Sequence, residues 1–453
     1  MYQKFLENIL LPIGDLLNNS SYIDQLKYWR KVDTYSENEL LELQHKNLKK
    51  TLINAVNSVP FYKKIQLKGN DPVEWLKEFP ILTKDNLRYN NIQLINENYQ
   101  ANDLIKYSSS GSSGIQSAVY MNKEEQSIIR GILTHWWEWS GYRIGKSIVQ
   151  TGMTLDRSLV KSLKDFFFRT YYLNAFSLSE SQLNELCEKL NNTNKHFLSG
   201  YASSLNVIAE FVLKNNYNIK LQSVISLGDK MFDNYRRNIE NAFNCKVFDT
   251  YGSNEGLMIA AQKDFRAVID AKIEAAQKDL DYLYILSPHV YIEIVDDKNN
   301  SVPDGEIGNI LVTRLDADAM PLIRYKLGDL GILLPKSKYP KVRELNYPLL
   351  QQIVGRDTDV VKLPSGKKLI VHSFTGIFEF IPEIKQFKVI QNVIEEITIL
   401  YIKDLHFKEE TLEKITQELQ KHIQDKNFNI HYIEVTNIEP TKSGKPQIIE
   451  SNL

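Results

Sequence analysis

The residues from Tyr107 to Gly114 read Tyr-Ser-Ser-Ser-Gly-Ser-Ser-Gly and form the strongest local signal in the chain. They combine five serine hydroxyls with two glycines. Glycine tolerates positive φ, so successive backbone N–H groups can point inward and form a nest that suits a polyanion. No Gly-Lys-Ser/Thr sequence closes the loop, so it is not a Walker A motif. The octet predicts a phosphate-binding loop, and the alternative is a flexible Gly/Ser linker.

The composition is that of a folded protein with more than one domain. A chain of 453 residues exceeds one ordinary hydrophobic core. The net charge of −1 gives no electrostatic footprint for nucleic acid, so no nucleic-acid partner is expected. Cys187 and Cys245 are too few for a disulfide framework or a four-ligand zinc site, which favours a reducing, cytoplasmic setting.

The N-terminal stretch from Phe5 to Leu17 is fairly apolar but is interrupted by Glu7, Pro12 and Asp15. It is shorter than the ~20 residues that a bilayer span needs. No signal-peptide cleavage pattern follows it. We expect a short helix packed on the body of the protein and no transmembrane segment; the alternative is a membrane-surface anchor.

Helical spacing alternates with short apolar runs through the first 280 residues. Helices are predicted near 36–57, 124–140, 180–215 and 230–243, and strands at 147–150, 224–227 and 246–249. This alternation is typical of α/β folds. After about 281 the predicted strands at 282–286, 290–295 and 308–313 indicate a smaller β-rich unit.

The last hundred residues predict a separate α+β module. Strands at 387–392 and 396–402 precede a helix at 408–425 and a strand at 430–435. The expected fold is therefore α/β, with a large multi-layer N-terminal domain (1–355) that includes the β-rich subdomain. A small α+β C-terminal domain (356–453) follows it.

The segment from Phe248 to Gly256 reads as a strand that runs into a glycine turn ending at Glu255. Ligands of α/β sheets bind at the carboxyl ends of strands. Tyr251 can flank a base or an acyl group there, and a carboxylate can hold Mg²⁺ on a nucleotide. The alternative is that Glu255 caps a helix beginning at Leu257.

Three further segments carry candidate chemistry. Asp329, in Arg-Tyr-Lys-Leu-Gly-Asp, can accept both hydroxyls of a ribose; the alternative is a surface pair with Arg324. The glycine-led segment 355–359 is a candidate hinge. Lys445, in Thr-Lys-Ser-Gly-Lys-Pro, can neutralise charge on a transferring phosphate, and the alternative is a solvated basic tail.

In this order, the motifs resemble those of the adenylate-forming superfamily of acyl-CoA synthetases, over nearly the whole chain. Within it, the chain looks most like the phenylacetate–CoA ligase branch and the CapK-like proteins of surface-polysaccharide gene clusters. Val59-Pro60-Phe61-Tyr62, the segment from Ser199 to Leu205, and Leu227-Gly228-Asp229 carry this narrower likeness.

The resemblance implies a role for each matching residue. The ATP phosphates would be bound by Ser109, Ser110, Gly111, Ser112, Ser113 and Gly114. The adenine and ribose would be bound by Gly228, Asp229, Tyr251, Gly252, Asp329 and Arg356. The acid pocket would be formed by Gly200, Tyr201, Trp136 and His135. The hinge would be formed by Asp357, Thr358 and Asp359. Glu255 would hold Mg²⁺, and Lys445 would bridge the acid and the α-phosphate during adenylation.

Some positions admit another interpretation or depart from the family pattern. Trp136, Trp137 and Trp139 cannot all share one helix face, and aromatic core packing is the alternative to a pocket role. Ile115 and Gln116 stand where the family usually has Lys-Pro, and Asp229 stands where Glu is usual. Thr358 occupies a hinge position that is usually acidic.

The resemblance implies an AMP-forming ligase that uses ATP, Mg²⁺ and a carboxylic acid, with coenzyme A as the acceptor. A second expectation is transfer to an amine or hydroxyl of a surface-polysaccharide intermediate. A third is a nucleotide-binding scaffold without turnover. Some relatives bind zinc through cysteines, and none is expected here. A homodimer is common in the branch.

Overall fold

The computed structural model describes residues 2–108, 118–152, 159–174, 180–191, 197–253, 255–263, 282–341, 343–356, 360–365, 368–378, 380–381, 383–423, 428–439 and 447–453. Its helices are α1 (Tyr2–Phe5), α2 (Leu11–Asn18), α3 (Tyr22–Val32), α4 (Glu37–Ser58), α5 (Pro72–Lys77), α6 (Lys84–Tyr89), α7 (Lys123–Trp139), α8 (Leu159–Phe168), α9 (Glu180–Asn191), α10 (Ala202–Lys214), α11 (Asp233–Phe243), α12 (Val371–Phe378) and α13 (Glu410–Ile423). A π-helical turn, Leu6–Leu10, joins α1 to α2.

The strands are β1 (Ile105–Ser108), β2 (Ala118–Met121), β3 (Ile148–Gly152), β4 (Thr170–Asn174), β5 (Phe197–Tyr201), β6 (Ser223–Leu227), β7 (Val247–Ser253), β8 (Leu257–Ala261), β9 (Leu283–Ile285), β10 (Val290–Val295), β11 (Gly308–Arg314), β12 (Tyr325–Leu333), β13 (Leu349–Arg356), β14 (Val360–Lys362), β15 (Lys368–Ile370), β16 (Ile384–Val393), β17 (Glu396–Lys403), β18 (Asn429–Glu434) and β19 (Ile449–Ser451). Strands β2 to β7 alternate with helices α7 to α11.

The largest sheet has the strand order β10-β11-β12-β13-β9-β8-β7-β6-β5-β3-β4. Strands β3 to β7 are parallel to their neighbours, and β7, β8 and β9 pair antiparallel. Helices α9, α10 and α11 cover the parallel strands through a core that includes Leu198, Leu205 and Val224. Parallel strands alternating with covering helices confirm the predicted α/β class.

Capping residues set the starts of two predicted helices. Ser36 accepts a hydrogen bond from the backbone of Glu39, whose side chain bonds back to Ser36, and α4 begins at the next residue. Asn122 and Glu125 form the same capping box at the start of α7. The helices predicted at 36–57 and 124–140 are therefore confirmed, with ends that agree to within a few residues.

One predicted helix is wrong in its middle. The stretch 180–215 contains α9 and α10, but the buried strand β5, Phe197–Tyr201, stands between them. Strand β5 pairs with β3 on one side and β6 on the other. Pairing with distant strands therefore makes residues 197–201 a strand. The helical spacing of the residues on either side does not indicate this strand, so the whole stretch is predicted as helix.

The chain divides into two compact units. The first comprises Met1–Glu293, Leu311–Leu327 and Leu333–Gln351, and the second comprises Ile294–Ile310, Gly328–Ile332 and Gln352–Leu453. The second contains the sheet β18-β17-β16-β19 and helix α13, which form the predicted α+β module. It also takes in parts of strands β10 to β13. Its boundary therefore does not coincide with the single division after residue 355 that the sequence predicts.

Candidate active site

The parallel strands β5, β6 and β7 bring most of the predicted pocket residues to one edge of the sheet. Gly200 pairs with Ser226, Tyr201 pairs with Leu227, and Ser226 pairs with Asp249. The carboxyl ends of the three strands are therefore side by side, with Gly228 and Asp229 directly after β6. Ligands of open α/β sheets bind outside this edge.

Tyr201 lies against the backbone of Gly228. Gly228 has φ of +79°, and a Cβ built there would be 2.4 Å from Cε1 of Tyr201. Burial raises the pKa of Tyr201, and the carboxylate of Asp229 raises it further. The aromatic ring thus occupies the space that a side chain at position 228 would need, and it lines the strand edge as a neutral phenol.

Gly200 permits a close approach of β3 to β5. A Cβ at this position would be 1.9 Å from Oγ1 of Thr151. No larger residue fits unless Thr151 moves, so the missing side chain at position 200 leaves room for the side chain of Thr151 beside Tyr201.

Asp229 caps helix α10. Its carboxylate accepts hydrogen bonds from the backbone N–H of Ala202, and from the backbone N–H and Oγ of Ser203 at 3.2 and 2.6 Å. These bonds satisfy the first N–H groups of the helix and place a negative charge at its positive end. They tie the loop after β6 to the end of β5; the predicted nucleotide contact of Asp229 stays a prediction.

Asp249, on β7, is an acid beside this edge that the sequence did not assign. Its burial raises the pKa of the carboxyl to about 6, although the nearby Arg236 opposes the rise. One carboxylate oxygen accepts the N–H of Thr250 at 3.0 Å. The sequence offers an acid two residues before Tyr251, but nothing in it signals that the carboxyl is enclosed.

Glu255 lies in the turn between β7 and β8 and is only 7% exposed. The hydroxyl of Tyr325 donates a hydrogen bond to Oε1 of Glu255 at 3.3 Å. The next residues, Leu257–Ala261, form strand β8. The alternative in which Glu255 caps a following helix is therefore wrong, and this carboxylate is held at the end of a strand.

Buried charged residues pack behind the turn that carries Glu255 and Gly256. Gly256 has φ of +80°, and a Cβ there would be 3.2 Å from Nη1 of Arg314. Arg314 is 1% exposed, and its Nε donates to Oδ1 of Asp316 at 2.7 Å. Glu125, on α7, accepts the backbone N–H of Ala319 at 2.7 Å in the segment that follows β11.

His289 links Asp316 to the start of β8. Its Nε2 accepts the backbone N–H of Met258 at 3.2 Å, so Nδ1 carries the proton that it donates to Oδ2 of Asp316. Burial raises the pKa of Asp316, but His289 and Arg314 outweigh it and hold that pKa at about 2. The anchored turn presents Glu255 on a rigid support. Sequence reasoning missed this network because its members come from separate segments.

His135 and Trp136 lie in the core of the first unit. His135 Nε2 is 3.1 Å from Oδ1 of Asp33, and the carboxylates of Asp33 and Glu138 raise the pKa of His135 against the effect of burial. Trp136 belongs to an apolar cluster with Trp139 on the same helix face. The burial of His135 and Trp136 matches the core-packing alternative, and their predicted role in the acid pocket stays a prediction.

Asp329 and Arg356 belong to the second unit. Asp329 is half-buried in β12, next to Gly328, whose φ is +85°. Arg324, which the alternative interpretation pairs with Asp329, belongs to the first unit, where its guanidinium lies 3.0 Å from the carboxylate of Glu293. The backbone of Arg356 ends β13.

Several predicted residues lie outside the described part of the chain, and their roles stay predictions. They are Ser109, Ser110, Gly111, Ser112, Ser113, Gly114, Asp357, Thr358, Asp359 and Lys445. The same holds for the side chain of Arg356. Within the described ranges, no group of three or more His, Cys, Asp or Glu side chains is placed to hold a metal ion. None of the helices in those ranges is long and apolar enough to cross a membrane.

Known proteins resemble this chain in sequence and in fold. The family model described as the CapK C-terminal domain matches residues 362–452. Protein CapK of Staphylococcus aureus is 25% identical over 468 residues, which cover 99% of this chain and 97% of CapK. Phenylacetate-coenzyme A ligase of Pseudomonas putida is 30% identical over 148 residues, or 32% of this chain and 29% of that enzyme.

The fold is found in a solved ligase. The structure of 2-hydroxyisobutyryl-CoA ligase in the postadenylation state, in complex with R3-HIB-AMP, superposes with a TM-score of 0.69. The match covers 93% of this chain and 91% of the ligase, at 16% identity. The chain is thus similar to CapK over nearly all of its residues and to phenylacetate-coenzyme A ligase over about a third of them, and its fold is that of 2-hydroxyisobutyryl-CoA ligase.

Proposed function

We propose that the protein is an AMP-forming ligase that activates a carboxylic acid as its acyl-adenylate and transfers the acyl group to coenzyme A. The observation that supports this proposal is that the carboxyl ends of β5, β6 and β7 lie side by side, with Tyr201 against Gly228, on a fold shared with a CoA ligase. The aromatic ring of a tyrosine at this edge can flank a base or an acyl group, and the backbone at Gly228 is open to a ligand. The carboxylate of Glu255 can hold a metal ion that is bound to a nucleotide.

In the first step, an oxygen of the substrate carboxylate attacks the α-phosphorus of ATP. The bond between the α-phosphorus and the bridging oxygen breaks, and pyrophosphate leaves with that oxygen. The carboxylate of Glu255 suits Mg²⁺, which prefers oxygen ligands and would neutralise phosphate charge. Lys445 would balance the charge that develops between the acid and the α-phosphate.

In the second step, the thiolate of coenzyme A attacks the acyl carbon, and AMP leaves with the oxygen that joined it to the acyl group. Lys445 would have to withdraw before a second substrate can enter, and a rotation about the predicted hinge 357–359 would allow this. Two reactions would then share one pocket, which explains why the lysine belongs to the smaller C-terminal module.

A second candidate acceptor is an amine or hydroxyl of a surface-polysaccharide intermediate. The observation that favours it is the full-length match to CapK, whereas the match to phenylacetate-coenzyme A ligase of Pseudomonas putida spans 32% of this chain. Adenylation would be unchanged, because only the second nucleophile differs. A scaffold without turnover is the remaining alternative.

The test is pyrophosphate release from Mg·ATP by the purified protein, with aryl, fatty, amino and sugar acids, each with and without coenzyme A. We expect release that depends on one class of acid and a thioester product when coenzyme A is present. Acid-dependent release without thioester would favour the second acceptor. No release with any acid, from protein that binds ATP, would contradict the ligase proposal, and Glu255→Gln is the inactive control.

A further inference from the structure

The N-terminal segment 2–18 (α1, the π-helical turn and α2) has one face on the body of the protein. Leu6 is fully buried in a cluster with Tyr22, Ile23 and Leu26. The hydroxyl of Tyr2 donates a hydrogen bond to the backbone oxygen of Phe167 at 2.7 Å. The segment is therefore held in a fixed orientation on the first unit.

The opposite face is apolar and exposed. Phe5, Ile9, Ile13 and Leu17 recur every fourth residue, so they form one row along the helix. The exposed fractions of the side chains on this face are Phe5 42%, Ile9 51%, Ile13 51%, Leu16 83% and Leu17 79%. A contiguous apolar patch of this kind marks an interaction surface, whereas single exposed apolar residues do not. We call these five residues the apolar face.

Both acidic residues of the segment are engaged away from the apolar face. Glu7 accepts two hydrogen bonds from Arg30, the shorter at 2.8 Å. Asp15 accepts from Oγ of Ser20 at 2.7 Å and from the backbone N–H of Ile23 at 2.8 Å. Their charges are used within the fold, so they do not repel an anionic surface at the apolar face.

Cations border the same segment. Lys4 is exposed next to Phe5. The guanidinium of Arg169 lies 4.7 Å from the ring centroid of Tyr2. At the other end, Nζ of Lys123 is 3.2 Å from the backbone oxygen of Asn18. The border is therefore positive at the N-terminal end of the segment, whereas at the other end Lys123 has the exposed Glu124 beside it.

We propose that the apolar face binds a lipid bilayer that contains anionic lipids, with segment 2–18 lying in the plane of the interface. An apolar helix face with a cationic border is the combination by which interfacial helices bind such membranes. Anionic headgroups would pair with the cations while the five apolar side chains enter the acyl boundary. A two-fold contact between two copies is the other occupant that the experiments below distinguish.

Vesicle flotation with the full-length protein tests this proposal. The probes are vesicles of phosphatidylcholine alone and of phosphatidylcholine with about one third phosphatidylglycerol. We expect binding to the anionic vesicles that weakens as salt increases. Leu16→Asp/Leu17→Asp should reduce the bound fraction by roughly tenfold or more. The matched control is Ile92→Asp/Leu405→Asp, which places two acids at side chains that are 80% and 94% exposed elsewhere, and it should bind like the wild type.

A second readout locates the face directly. In Leu17→Trp, the new indole should be quenched by brominated lipids in anionic vesicles. Circular dichroism checks that each variant is folded. The proposal is overturned if the wild type does not bind anionic vesicles, or if Leu16→Asp/Leu17→Asp binds as well as the control. It is also overturned if light scattering shows a dimer that this double variant converts to monomer, since the face would then join two copies.

Discussion

The hydroxyl of Tyr325 lies 3.3 Å from Oε1 of Glu255, and both side chains are buried. Tyr325 opens β12 and Glu255 follows β7, so the contact joins two distant segments of the first unit. The tyrosine orients the carboxylate that we propose for Mg²⁺, in the way that outer hydrogen bonds orient metal ligands.

Tyr325→Phe should weaken the use of Mg²⁺ without unfolding the protein. The ring stays packed while the bond to Glu255 is lost, and outer-sphere substitutions of this kind cost about 10–100-fold in metal affinity. The measurement is pyrophosphate release against Mg²⁺ concentration at fixed ATP. Tyr22→Phe removes another buried hydroxyl, which is bonded to Oγ1 of Thr134 at 2.9 Å, and should leave the Mg²⁺ dependence unchanged. Equal curves for the two variants would argue against the orienting role.

Lys445→Ala should abolish adenylation. Loss of a positioned charge in the transition state costs about 3–4 kcal/mol, or roughly 10²–10³-fold in rate. Lys442→Ala, three residues earlier, is the control and should release pyrophosphate normally. Chemically prepared acyl-adenylate should still react with coenzyme A in the Lys445→Ala variant. If acyl transfer is lost to the same extent as adenylation, the lysine does not act in the first step alone.

Asp229→Ala should destabilise the protein by about 1–2 kcal/mol, because it removes the cap of α10. Ser203→Ala should cost less, since the two backbone N–H bonds to Asp229 remain. Urea unfolding measures both. Asp229→Asn keeps an amide oxygen where a carboxylate oxygen accepts the backbone N–H bonds and should restore part of the stability; a low affinity for ATP that persists in it would indicate that the charge of Asp229 also acts on the nucleotide.

Asp249→Asn should change how stability depends on pH. The folded protein holds the pKa of Asp249 at about 6, above its ordinary value of 3.8, so the folded state favours the protonated carboxyl. This term makes the wild type lose stability as pH rises from about 4 to about 6, by about 3 kcal/mol at most. The variant should lack that loss. Denaturant unfolding at pH 4 and pH 7 measures it, and equal pH dependence in both proteins would contradict an enclosed carboxyl.

Gly200→Ala should be strongly destabilising, because its Cβ would overlap Oγ1 of Thr151. Thr151→Ala removes that oxygen and should recover part of the loss in the double variant. A double-mutant cycle by urea unfolding gives the coupling. Additive effects would mean that the side chain of Thr151 is not what excludes a Cβ at position 200.

The sequence predicted the elements whose signal is local. The capping residues Ser36 and Asn122 stand next to the helices that they start, and the strands at 224–227 and 246–249 are short apolar runs between helical patterns. The motif around Glu255 could be placed at a strand end for the same reason. These features depend on neighbours in the chain, which one sequence displays.

The remaining features depend on contacts between distant segments. Strand β5 forms because it pairs with β3 and β6, which are distant in the sequence. Local spacing alone therefore predicts a helix for its residues. The cap that Asp229 provides reaches back to Ala202, and the fixed tautomer of His289 depends on Met258 and Asp316. The N-terminal helix was predicted to pack on the body; the structure shows that only one of its faces does so. The spacing of residues along a single sequence does not show which distant residues are in contact.

The close fit of Tyr201 to Gly228 constrains how this edge of the sheet could be redesigned. The ring occupies the space that a Cβ at position 228 would need, and the φ of +79° at Gly228 strains any other residue there even when that space is empty. Position 228 should therefore stay glycine in a designed library, and position 201 is the one to vary. If this edge binds the acid, as we propose, a smaller residue at 201 would open a cavity that admits a bulkier acid.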